Sequence, residues 1–293
     1  MSSIPAYPDF APISLEMARE ISPHLVQLPD GVSEYSFAGL YLFRYRYDYR
    51  VSIKDGLLVV SGVDGGRRFF LTPCCKTSIE SIRELFHDHD EWKLISPAFL
   101  ALNREAIEGA GLTVEPDRDN FDYVYLKSDL ATLSGKKYHK KKNHVNAFEL
   151  SYPNFSLRPL DLTTKADADA VLESWVGHEE NPDNTDYRAA KESLELLDQF
   201  DMSGLVLYVD GMAVAWTLAE TVAGGKMSAV HFEKARIEFR GAYQYINYAF
   251  AKSLPETIEF VNREQDLGDE GMRQAKLTYR PSGFVEKFRV VRQ

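Results

Sequence analysis

Cysteine is nearly absent from the 293 residues: only Cys74 and Cys75 occur, and they are neighbours. A bridge between adjacent cysteines strains ordinary disulfide geometry, so the pair is expected to be reduced and structural. With no third cysteine and seven scattered histidines, no Cys/His set stands at the spacing of a structural zinc site. Long apolar runs are missing too. No segment approaches the roughly 18 residues that cross a bilayer, and Met1 to Pro8 lacks the basic start and apolar stretch of a secretory signal. A soluble, cytoplasmic protein is expected. Positive charge is scarce, since 34 Lys and Arg stand against 44 Asp and Glu for a net charge of -10; a wholly basic nucleic-acid binder is excluded. Low-complexity tracts and long Pro/Gly/Ser linkers are also lacking. What remains, at 44% hydrophobic and 12% aromatic residues, suffices for one large core or two ordinary ones.

The order of local signals repeats. Gly56 to Ser61 and Arg67 to Thr72 flank Val63-Asp64-Gly65-Gly66, a hairpin pattern. Ser78 is placed to cap a helix from Ile79 to His87, followed by a strand near Trp92 to Ile95, a helix from Pro97 to Glu108 and a strand from Tyr123 to Lys127. Later, helices near Lys165 to His178 and Tyr187 to Phe200 precede strands at Gly204 to Val209, Met212 to Thr221 and Lys226 to Glu233. Ala242, Tyr245, Ile246, Ala249 and Phe250 then recur at helical spacing until Pro255 stops the run. A strand at Thr257 to Asn262, a short helix from Asp269 to Leu277 and a strand from Val285 to Val291 complete the chain. The expected fold is α/β (α+β): two tandem GNAT-like (acyl-CoA N-acyltransferase) domains, residues 1–150 and 151–293, each a mixed sheet with helices on both faces.

Two stretches carry a family resemblance. Leu133 to Asn146, with the run Lys136-Lys137-Tyr138-His139-Lys140-Lys141-Lys142, and Asn262 to Lys276, which opens Asn262-Arg263-Glu264-Gln265-Asp266, resemble soluble relatives of the C-terminal domain of phosphatidylglycerol lysyltransferases. The resemblance implies kinship with enzymes that transfer an aminoacyl group from aminoacyl-tRNA, the Fem-type peptidoglycan transferases included. It implies an aminoacyltransferase acting on an amine or hydroxyl acceptor. An acyl-CoA-dependent N-acyltransferase is the alternative, and a non-catalytic relative binding an anionic ligand the third.

The lysine run sets five lysines within seven residues of an acidic chain. If Ser134 caps a helix there, the lysines crowd its first turns, where the dipole disfavours cations by roughly 0.3 to 1 kcal/mol each. Lys136, Lys137, Lys140 and Lys141 are therefore candidates to bind tRNA phosphates or an anionic lipid headgroup; a solvated charged helix accounts for the same residues. Coenzyme A enzymes of this fold hold pyrophosphate on a Gly-rich helix start. Here that stretch is Glu238-Phe239-Arg240-Gly241-Ala242-Tyr243, in which Arg240 and Gly241 suit an anion while Glu238 and Tyr243 do not.

For the chemistry, His231 and Glu233 are two apart on a strand and so are expected on one face, as a base and its orienting partner. A hydrogen-bonded strand histidine is the structural reading of the same residue. Asn262, Glu264 and Asp266 emerge at a strand end and suit a cationic aminoacyl group, or simply fix the loop. Arg273 and Lys276, three apart on a helix, suit a phosphate or carboxylate, or pair with Asp269 and Glu270. Tyr279 stands where enzymes of this fold keep a general-acid tyrosine. Arg44 to Arg50, alternating Arg and Tyr, is expected as a strand with Arg44, Arg46, Asp48 and Arg50 on one face.

Overall fold

The computed structural model describes residues 2–25, 30–182 and 185–292, which form two compact units. The first comprises residues 1–122, 265–270 and 284–293, and the second residues 123–264 and 271–283.

The first unit is built on a sheet with strand order Ala11–Pro12, Arg50–Lys54, Leu57–Asp64, Arg67–Leu71, Glu91–Ile95, Phe288–Arg292 and Leu112–Pro116. The hairpin turns through Gly65 and Gly66, both at positive φ, as its Gly-Gly sequence requires. The helices Ile79–Asp88 and Pro97–Gly109 start at Ser78 and Ser96, whose hydroxyls accept the Ser81 and Phe99 amides. Their apolar faces close a core of Phe70, Ile82, Phe86, Trp92, Phe99, Ile107 and Val290. One cation is fully buried in this unit: Lys287 Nζ donates to Asp122 Oδ1 at 2.7 Å and Glu34 Oε2 at 2.6 Å, which offsets the cost of removing it from water.

The second unit is built on a sheet with strand order Asp122–Leu126, Phe260–Asn262, Met227–Ala235, Met212–Val222, Met202–Val209 and Phe155–Pro159. Here Met227–Ala235 and Phe260–Asn262 run parallel, while the other neighbouring pairs run antiparallel. The helices His139–Ser151 and Ala242–Ser253 cover the sheet through Phe148, Tyr245, Ile246 and Ala249; the Phe148 and Tyr245 rings stack at 4.8 Å. Mixed sheets with covering helices therefore stand as expected.

Three expectations change. The division after residue 150 misplaces the chain: Tyr123 and the lysine-rich helix belong to the second unit, and the last strand, Phe288–Arg292, inserts into the first unit's sheet between Glu91–Ile95 and Leu112–Pro116. Strand pairing is non-local, so no boundary in sequence could reveal it. The segment Arg44–Tyr47 is a helix turn rather than a strand; Asp48 in the left-handed region ends it, and the Arg44 guanidinium lies 3.6 Å from the Tyr41 ring centroid. Ser134 caps nothing: Gly135 at φ 84 leads into a 3-10 turn, Lys136–Tyr138, and the α-helix begins at His139.

Candidate functional site

Parallel pairing between Met227–Ala235 and Phe260–Asn262 spans three residue pairs and ends at Ala229 and Asn262. Just beyond, the Met227–Ala235 strand bulges against Met212–Val222: Val230 faces Ala219 and Phe232 faces Leu218, which leaves His231 without a partner in the register. A bulge re-aims a side chain and breaks the alternation of faces. It is the reason His231 and Glu233, expected to work as a pair, do not touch the same groups.

His231 Nδ1–H donates to Glu264 Oε1 at 2.7 Å and Nε2–H to Glu220 Oε2 at 3.2 Å. Burial by itself would push the imidazole down, but the bonds to Glu220 and Glu264 outweigh it and hold the ring up at about 10. At neutral pH the ring is an imidazolium donating from both nitrogens. It has no lone pair with which to act as the expected base. Two carboxylates on one cation leave the cluster net negative, and each carboxylate keeps 19% of its side chain exposed.

Glu233 instead accepts from Arg263 Nη2 at 3.0 Å and Asn247 Nδ2 at 3.2 Å. Burial opposes the charge on Arg263, but Glu233 and the neighbouring tyrosines Tyr279 and Tyr125 raise its pKa beyond the usual guanidinium range. The Arg263 guanidinium lies 4.9 Å from the Tyr279 ring centroid, and Lys141 Nζ lies 3.9 Å from the same centroid. Burial pushes the Tyr279 phenol up to about 12 against the pull of Arg263, so it keeps its proton at neutral pH.

The loop that presents Arg263 and Glu264 is held from several sides. Glu264 sits at φ 56, and its amide donates to Asn262 Oδ1 at 2.7 Å. Lys276 Nζ donates to the Arg263 and Glu264 carbonyls at 2.7 and 3.1 Å, while the Tyr123 amide donates to the Glu264 carbonyl at 3.1 Å. A left-handed glutamate fixed by so many bonds is a conformation imposed by its surroundings, as found at sites where a side chain must be aimed.

The remaining candidates divide. Asn262, fully buried, fixes the loop, and Lys276 clamps its carbonyls rather than meeting a ligand anion beside Arg273, which lies half-exposed on the same helix. Asp266 does not belong with them: it lies in the first unit, fully buried, accepting from Arg118 at 3.3 Å and from the Gly268 amide at 3.0 Å. Of the lysines, Lys136 and Lys140 are exposed, Lys137 pairs with Asp129 at 2.8 Å, and Lys141 turns inward to Tyr279. Leu133, Ser134, Gly135, Lys136, His139 and Lys142 line an open concavity. Arg240 is exposed, and Glu238 reaches Arg236 at 3.8 Å instead. Gly241, at φ 92, has the His144 carbonyl 3.2 Å and Phe148 Cβ 3.3 Å from where a Cβ would stand, so close packing of the lysine-rich helix accounts for this glycine.

Sequence reasoning missed Glu220, Asn247 and the roles of Arg263 and Lys141. One signal for Glu220 was available: it is the lone charged residue in the otherwise uncharged strand Met212–Val222. The partnership of Glu233 with Asn247 and Arg263 had no local signature.

Among the described residues no helix is long and apolar enough to cross a membrane. A structure of a conserved protein from Bacteroides thetaiotaomicron is 29% identical, with a TM-score of 0.84 over 97% of this chain and 99% of that one. The C-terminal domain of a lysylphosphatidylglycerol synthetase from Agrobacterium fabrum shares the fold at 14% identity, with a TM-score of 0.62 over 95% and 91% of the two chains. A protein of Mycoplasmoides gallisepticum is 22% identical over 182 residues, 58% of this chain; the match spans 55% of that relative's length. The family profile described as phosphatidylglycerol lysyltransferase, C-terminal, matches residues 26–291. The mixed α/β fold is shared with that synthetase domain, and the chain belongs to the family of the phosphatidylglycerol lysyltransferase C-terminal domain.

Proposed function

We propose that the second unit transfers an aminoacyl group from aminoacyl-tRNA to an amine or hydroxyl acceptor. The observation that carries this reading is the Glu220–His231–Glu264 cluster at the parting of two parallel strands. An acetyl group is uncharged and gives a net negative cluster nothing to bind. An aminoacyl ester brings an α-ammonium, which suits two partly exposed carboxylates. Arg263, fixed by Glu233, supplies a positive charge for the oxyanion that develops when the ester carbonyl is attacked, and Tyr279 holds a proton suited to the leaving oxygen. The exposed lysines Lys136, Lys140 and Lys142 offer phosphate contacts on a helix start that otherwise disfavours them. Membership in the lysyltransferase family supports the same donor.

Coenzyme A is the competing donor. Its expected cradle is filled differently here, by the Glu238 carboxylate near Arg236 and by helix packing over Gly241. The two readings are separated by binding. Filter retention of labelled tRNA at rising salt should show loss of binding with a slope set by the few phosphates contacted, and calorimetry with acetyl-CoA should show no heat of binding. Micromolar acetyl-CoA affinity without tRNA retention reverses the assignment.

A further inference from the structure

We propose that Lys141 is the base of the transfer reaction, taking a proton from the acceptor's amine or hydroxyl as it attacks the aminoacyl ester; this rests on the aminoacyl-transfer reading above. As the new bond to the carbonyl carbon forms, the proton passes to Lys141 Nζ. As the ester C–O bond breaks, the departing ribose oxygen recovers a proton from the ammonium or from the Tyr279 hydroxyl, which Lys141 then reprotonates. Atoms and charge balance without a further reactant.

The lysine run holds a contrast. Lys136, Lys137, Lys140 and Lys142 are exposed, whereas Lys141 is partly buried with its ammonium nitrogen 3.9 Å from the Tyr279 ring centroid. Among the described residues Lys141 donates to no carboxylate or carbonyl. A partly buried lysine without a counter-charge carries a desolvation cost that an aromatic face relieves only in part, and here a second cation, Arg263, shares the same ring. Both effects favour the neutral amine: burial first, then Arg263, push Lys141 down to about 8. An amine near working pH is the state general-base catalysis needs.

Elimination among its neighbours points the same way. The His231 imidazolium donates both protons to Glu220 and Glu264, Glu233 is engaged by Arg263 and Asn247, and Lys276 is committed to two carbonyls. Tyr279 keeps its proton. The groups that meet Lys141 are the Tyr279 ring and, across that ring, Arg263 with its partner Glu233, while Lys140, Lys142 and His144 on its own helix are exposed. Lys141 is thus the amine in this centre that no carboxylate or carbonyl holds in the charged form, and burial draws its protonation toward working pH.

The test reads the amine directly. Reductive methylation of the full chain with 13C-formaldehyde gives each lysine an NMR signal, and that of Lys141 is assigned by its absence in Lys141→Arg. Titration of this signal near pH 8, apart from the other lysines, is expected; titration together with the exposed lysines overturns the proposal whatever the donor. A second arm uses tRNA charged with a radiolabelled amino acid, with a lipid and small-molecule extract supplying amine and hydroxyl acceptors, and reads release of label. Lys141→Gln and Lys141→Arg should each fall about 100-fold at unchanged melting temperature or higher, with partial recovery of Lys141→Ala by added methylamine. Undiminished release by Lys141→Gln overturns the base alone. If the wild type releases no label at all while Lys141 titrates low, the donor reading fails and the base assignment falls with it.

Discussion

His231 Nδ1 stands 2.7 Å from Glu264 Oε1, joining a bulged strand to a left-handed residue of the loop beyond its parallel neighbour. The contact ties together the two strands where their own hydrogen bonding has stopped. It also makes the histidine a structural cation and leaves its two carboxylates partly exposed.

The first prediction concerns pH. Because the folded imidazole is raised to about 10, above the ordinary histidine value of 6.5, its stabilising charge is fully present below pH 6.5 and is lost as pH rises through 10. Stability should fall across that window with a slope of up to about 1.4 kcal/mol per pH unit. Lys141 acts in the opposite sense. Its pKa is lowered to about 8 from 10.5, so it contributes a gain in stability as pH rises between those values. Urea unfolding of His231→Gln beside the wild type at pH 6 to 10 isolates the histidine, and the variant should lack the downward slope.

Removing the clamp on the loop should be costly. Lys276→Met takes a charged donor from the carbonyls of Arg263 and Glu264, and the expected destabilisation is about 1.5–3 kcal/mol. Denaturant midpoints measure it. Lys276→Arg, with a planar head in place of a compact one, should recover only part of the loss.

Gly241→Ala meets both a backbone conformation that L-residues avoid and a carbonyl 3.2 Å from the new Cβ. It should lose more than about 1 kcal/mol, with the lysine-rich helix displaced. Hydrogen exchange on residues 139–151 should quicken in the variant.

Surface charge is predicted to separate from stability. Lys136→Gln with Lys140→Gln and Lys142→Gln alters exposed side chains only, so the melting temperature should stay within about 1 °C, given that surface changes stay within roughly 0.5 kcal/mol. Retention of tRNA should weaken and its salt slope flatten by about two to three units. Unaltered retention would move the nucleic-acid contact elsewhere.

Much of the fold was legible because local rules decided it. Ser78 and the Gly65-Gly66 turn sit where their chemistry demands, and Pro255 ends a helix by removing a donor. What was not legible depends on strands brought together from afar. Phe288–Arg292 pairs with Glu91–Ile95 and Leu112–Pro116, far earlier in the chain, so a linear division into halves had no means of finding it. The site shows the same split. Tyr279, Glu264 and His231 were identifiable as polar groups at strand and helix ends, but strict alternation predicted a His231–Glu233 pair that the bulge abolishes. The lysine run does not present one face. Its members face different ways because a helix of 3.6 residues per turn cannot present consecutive residues on one side, and only packing shows that Lys141 is the one turned inward.

Donor use is decided by incubating the purified full chain with tRNA charged with radiolabelled amino acids and a lipid and small-molecule extract that supplies amine and hydroxyl acceptors. Time-dependent loss of label from tRNA is expected with the wild type, reduced about 100-fold or more in Glu264→Ala. Stable aminoacyl-tRNA in the presence of the wild type, together with saturable binding of acetyl-CoA, would contradict it.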